Sequence, residues 1–244
     1  MIYDDPTKKI MEKERDILRN ELLKLKDCQV RYFWSAITAT GVMIGIGIKI
    51  GTKDMIGLFF MAPLFIIVPC WLIFFDKATT ITRIVGYLKV LEYMLINKGE
   101  SKYHYIGWEN ALHLFRQQPQ KGERPSMLIR FGRYIWDFIV GIVLIFKFEV
   151  RTRYWCISWL TFIILSLICY IYGWRNSDSN DINVYIFGFF LGIATVHNSY
   201  ILKNLIAKNG KFSYIEKWNM WKIVLSSDNA SNYYNNNYAT AISE

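Results

Sequence analysis

Residues Met55–Phe75, MIGLFFMAPLFIIVPCWLIFF, run for 21 positions without Asp, Glu, Lys, Arg or His. As a helix rising about 1.5 Å per residue, this stretch reaches across a hydrocarbon core of about 30 Å. A soluble domain of this size has no ready place to bury it. Four further apolar runs accompany it, at Tyr32–Ile48, Ile135–Phe146, Tyr154–Trp174 and Val184–Leu202. The sequence therefore reads as an all-α, polytopic helical membrane protein with four or five transmembrane helices and helical cytoplasmic extensions.

The chain has 244 residues, 53% hydrophobic and 17% aromatic, with its charge held between the apolar runs. Four or five spans use about a hundred residues, and the remainder is too fragmented for a catalytic domain of ordinary size. Five segments follow: a cytoplasmic amphipathic helix (1–31), a transmembrane hairpin (32–75), a cytoplasmic helical segment (76–133), C-terminal membrane helices (134–206), and an interfacial helix with a mobile tail (207–244). The charged residues before Tyr32 do not resemble a secretory signal, so the first span is expected to act as an uncleaved anchor. Cys28, Cys70, Cys156 and Cys169 show no paired spacing, which argues against disulfides and cysteine metal sites.

Lys and Arg set the expected orientation. Residues 1–31 carry eight of them and 76–133 carry ten, whereas the turn around 49–53 carries two. The positive-inside bias places the N-terminus and the 76–133 segment in the cytoplasm. Two later segments are weaker spans: Ile135–Phe146 is bounded by Asp137 and Lys147, and Val184–Leu202 contains His197, Asn198 and Ser199. Five spans would leave the five basic residues of 203–244 outside, so the charge balance favours four.

Outside the membrane, Asp5-Pro6 reads as a helix start, followed by Met11, Leu18, Leu22 and Leu25 along one face. Ile81, Ile84, Leu88, Leu91 and Leu95 repeat at spacings of 3, 4, 3 and 4, a heptad seam ending at Asn97-Lys98-Gly99. Such a seam serves either oligomerisation or packing within the chain. A third helix is expected over Ile106–Gln117. Residues 76–133 hold ten basic against five acidic side chains, which suits anionic headgroups. With Tyr103, Tyr105 and Trp108 as stacking surfaces, it would also suit a nucleotide or single-stranded DNA ligand. Tyr214–Leu225 places Lys217, Trp218, Trp221 and Lys222 close together, as an interfacial helix does, and Asn229–Glu244 has the composition of a mobile tail.

Signals for catalysis are missing: no nucleophile elbow, phosphate loop, dinucleotide fingerprint, HExxH or CxxC occurs. The chain is read as not an enzyme, without cofactor or metal; His104, Glu109 and His113 read as surface polar groups rather than a metal cluster. The last apolar run is more informative. Gly188, Gly192, Thr195 and Ser199 fall at spacings of 4, 3 and 4, the small-residue pattern of a close helix contact. The same residues, with His197 and Asn198, would suit a water-facing pore wall, because ionisable groups within spans are costly unless functional. In the first span Thr38, Gly41 and Gly45 form a similar strip, expected to pack against the second span, which Pro63 and Pro69 should kink.

A charged helix (Asp5–Arg31), a two-span hairpin (Tyr32–Phe75) and a helix returning to the cytoplasm (Ala78–Asn97) together resemble the small membrane effectors of bacterial anti-phage systems. The additional spans after residue 134 look more like the larger Hailong-type effector. That resemblance is one of architecture, and no residue roles are transferred with it. It implies a tetrameric channel of the bacterial inner membrane in an antiviral, toxin-like role, restrained by a DNA oligomer from a partner nucleotidyltransferase. The expectation is a homo-oligomeric ion channel or pore gated by a cytoplasmic ligand or partner. Alternatives are a membrane adaptor anchoring a soluble enzyme, and a small-solute transporter, which should show internal repeats that this sequence lacks.

Overall fold

A computed structural model describes residues 5–50, 56–96, 103–117, 150–177, 182–207 and 210–234. Among these there are eight helices and no strand: α1 (Asp5–Ile50), α2 (Ile56–Met61), α3 (Leu64–Ile96), α4 (Trp108–Gln117), α5 (Val150–Arg175), α6 (Ile182–Ile206), α7 (Tyr214–Leu225) and α8 (Asp228–Tyr234). The weak segment Ile135–Phe146, with Asp137 and Lys147, lies outside the described residues.

Among the described residues three stretches are long and apolar enough to cross a membrane: Phe59–Ile96, Arg153–Arg175 and Ile182–Ile206. Tyr32–Ile48 is the C-terminal part of α1 and is not among those three. Helix α1, with 46 residues, is about 69 Å long, and the 33-residue α3 is about 50 Å, so each exceeds what a bilayer core requires. Pro6 sits in the first turn of α1, where its missing N–H costs nothing. Pro63 lies in the turn between α2 and α3, closed by Phe65 N–H donating to Ala62 O at 3.1 Å, and Pro69 is inside α3.

The helices form two compact units that interleave along the chain. One comprises Met1–Leu25, Thr80–Arg124 and Ala207–Glu244; the other comprises Lys26–Thr79 and Pro125–Ile206. Helices α1 and α3 each supply residues to both.

In the second unit α2 packs on α5, and α5 packs on α6. Two glycines permit the α2–α5 approach: a Cβ on Gly57 would lie 2.9 Å from Gly173 O, and one on Gly173 would lie 3.0 Å from Gly57 O. Phe162 is the aromatic hub, stacked on Trp71 at 6.0 Å and meeting Phe33 and Phe74 edge-on at 5.7 and 5.6 Å. A buried polar tie joins α1 to α3 there, Gln29 Nε2 donating to Phe74 O at 2.8 Å.

The first unit closes around an aromatic centre. Met11 and Leu18 of α1, Ile84, Tyr87, Leu88 and Leu91 of α3, Phe115 of α4, and Trp221 and Val224 of α7 are buried together. Ile81 is also buried, and Leu95 packs partly buried against the same core, so the heptad seam is largely covered within the chain. An exposed ion pair, Arg19 Nη2 to Glu92 Oε1 at 2.8 Å, joins the same two helices. Two sequence expectations change here, for the stacking rings and for the tail. Tyr103 and Tyr105 are buried and Trp108 packs against the core, so these rings fill the interior instead of offering stacking surfaces. Trp221 and Lys217 of the expected interfacial helix point into that same unit. The tail begins as helix α8, anchored by fully buried Ala230; residues 235–244 lie outside the described set.

Candidate functional site

Helix α6 has one clearly buried face. Val184, Leu191, Ala194, Asn198, Ile201, Leu202 and Leu205 lie inside, spaced largely at 7, 3 and 4. The opposite face, with Tyr185, Ile186, Phe189, Phe190 and Ile193, is exposed. Of the three candidate spans it is the least covered, with 28% of its apolar window buried against 44% and 50%.

The six residues singled out on this helix do not share one environment. At 100° per residue, Gly188, Gly192, Thr195 and Ser199 fall within a strip about 60° wide on the flank of the buried face. Gly188 packs on helix α5, where a Cβ would stand 2.6 Å from Tyr170 Oη. Gly192 is exposed, and a Cβ there would meet nothing within 4 Å. Thr195 Oγ1 donates to Leu191 O at 2.8 Å and Ser199 Oγ to Thr195 O at 2.6 Å, which leaves each hydroxyl oxygen able to accept. His197 is exposed, on the side of the helix that carries Phe190 and Ile193. Asn198 lies in the interior: Nδ2 donates to Ala194 O at 2.9 Å, and Oδ1 has no hydrogen-bond partner among the described residues.

The Thr38–Gly41–Gly45 strip of α1 also differs from its sequence reading. All three residues are exposed, and a Cβ on Gly41 or Gly45 would meet nothing within 4 Å. The inward face of α1 is instead Ala36, Thr40 and Gly47. A Cβ on Gly47 would come 2.8 Å from the Phe60 ring, so this glycine makes the close approach.

A half-buried carboxyl, Glu14, and a buried ammonium, Lys217, mark the first unit. Glu14 accepts from Trp108 N–H and from Tyr87 Oη at 3.2 Å. Burial pushes its carboxyl above the usual range, and the bonds from Trp108, Tyr105 and Tyr87 partly restrain that rise. Lys217 lies in the first turn of α7, which Ser213 caps by accepting from Glu216 N–H at 3.2 Å. Its ammonium stands over the Phe115 ring at 5.2 Å, and burial, with Arg83 and Lys211 nearby, lowers its pKa to about 8. The sequence alone signalled neither Glu14 nor the depth of Lys217, because both depend on which rings α3, α4 and α7 bring together.

Among the described residues no group of three His, Cys, Asp or Glu side chains is placed to hold a metal ion. Comparison with known proteins returns no match to this chain, whether among family models, curated proteins or solved structures.

Proposed function

We propose that the chain assembles with copies of itself into a membrane ion channel or pore, with the open flank of α6 facing the conducting path. The observation that carries this reading is an exposed imidazole, His197, together with an open glycine, Gly192, on the least covered candidate span. In a lone protomer both would face lipid, where an ionisable side chain is costly. Further copies shelter such a surface and leave a strip of Gly192, Thr195 and Ser199 toward water. Helices α1 and α3 belong to both units, which supports a gate worked from the first unit by a cytoplasmic ligand or partner. An anti-phage effector role, a tetrameric assembly and restraint by a nucleotidyltransferase product enter this proposal from architectural resemblance.

Ion flux in cells expressing the protein tests the reading. Gly192→Leu adds a side chain where the protomer leaves space, so folding and insertion should persist while flux drops to background. Ser199→Leu should act likewise. Flux unchanged in both variants, with normal insertion and assembly, would reject α6 as the wall.

A further inference from the structure

Three polar atoms of the second unit are enclosed without a hydrogen-bond partner among the described residues: Trp71 Nε1, Ser166 Oγ and Asn198 Oδ1. All three side chains are fully buried, and each belongs to a different candidate span, α3, α5 or α6. Contacts between the helices bring them to one junction. Trp71 stacks on Phe162 at 6.0 Å, and Ser166 lies one turn beyond Phe162 on the same face of α5. Helix α6 runs back along α5 and meets it where Gly188 approaches Tyr170 Oη. Ten residues further on, Asn198 stands level with Leu160, beside the Phe162 layer. Helix α6 also meets α3, with Phe65 and Phe187 edge-on at 5.1 Å.

A hydroxyl on a membrane helix ordinarily donates to the carbonyl four residues earlier. Thr161, Thr195 and Ser199 do so, to Ile157 O, Leu191 O and Thr195 O, whereas Ser166 does not. An enclosed polar group without a partner is costly, and lipid supplies none. Phe, Ala and Leu would fill the same three positions without that cost. The three groups are also of complementary kinds. The Trp71 indole only donates, the Asn198 carbonyl only accepts, and the Ser166 hydroxyl does both. An enclosed water is held by about three such bonds.

We propose that Trp71, Ser166 and Asn198 form a binding site for buried water at the junction of α3, α5 and α6. Trp71 Nε1 donates to the water, the water donates to Asn198 Oδ1, and Ser166 Oγ completes the set. Ser158, also buried, continues the polar line one turn before Phe162 on α5. The site lies on the inward face of α6, apart from the flank of Gly192, Thr195 and Ser199. It stands whether or not the assembly conducts ions.

X-ray radiolysis of the purified full-length chain in neutral detergent tests it, because hydroxyl radicals formed from bound water label the side chains beside it even in a closed interior. Trp71 should be oxidised several-fold faster than Trp221, which is equally enclosed and whose Nε1 is bonded to Arg83 O. Asn198→Leu should bring Trp71 down to the rate of Trp221. Ser166→Ala, a change small enough to leave the fold intact, should lower the rate part of the way. Peroxide photolysis forms its radicals in bulk solvent and should label neither tryptophan. Trp71 oxidised no faster than Trp221 under X-rays, or as fast in both variants as in the wild type, would overturn the proposal. Labelling of Trp71 by peroxide photolysis would overturn it too, since bulk solvent would then reach the junction.

Discussion

Lys217 shows how a single side chain can report on its surroundings. Its folded pKa of about 8 lies below the free value of 10.5, so between those values the unfolded chain holds more protons than the folded one. Stability should therefore rise as pH goes from about 8 to 10.5. Lys217→Met should raise the Tm at pH 7 and remove that rise, which thermal scans across pH would record. A wild-type profile flat over the same window would contradict the buried ammonium. Trp221 makes the complementary case. It is fully buried, stacks on Phe115 at 4.3 Å and donates to Arg83 O. Trp221→Ala should cost about 3–5 kcal/mol, measurable by denaturant or thermal unfolding. The sequence placed Lys217 and Trp221 on one short helix. Which of its faces was interior depended on Tyr87 and Phe115, far away in the chain, and so could not be read locally.

At the scale of elements, the helix positions were the legible part. The spacing around Leu88 and the run Tyr214–Leu225 each match a helix; the stop expected at Asn97 lies outside the described residues. Faces were harder. In lipid both sides of a span are apolar, so periodicity no longer separates inside from outside, and small residues become ambiguous. Gly41 and Gly45 read in sequence as a packing strip and are open, whereas Gly47, Gly57 and Gly173 make the close approaches. The signal for these three lies in what faces them, which one sequence does not reveal. Gly173→Leu should force apart α2 and α5, where Met61 and the Gly57 carbonyl already lie against it, at a cost of about 1–3 kcal/mol or more. Gly192→Leu should leave Tm unchanged. Size-exclusion profiles and thermal scans of the two proteins would check the contrast, and equal damage from both would refute the assignment of faces.

For the whole molecule, the all-helical, membrane-crossing character was visible in the first apolar run, because length and the absence of charge suffice for it. The interleaved arrangement was less accessible: the first unit gathers its core from three separate stretches of chain. The proposed channel depends on α6 presenting water on the flank of Gly192, Thr195 and Ser199, and lipid at Phe189. Aqueous thiol labelling in native membranes measures this most directly, with Thr195→Cys, Ser199→Cys and Phe189→Cys made in a chain whose four cysteines are replaced. The account predicts rapid modification at 195 and 199 and none at lipid-facing 189; protection of both 195 and 199, at the level of 189, would contradict it.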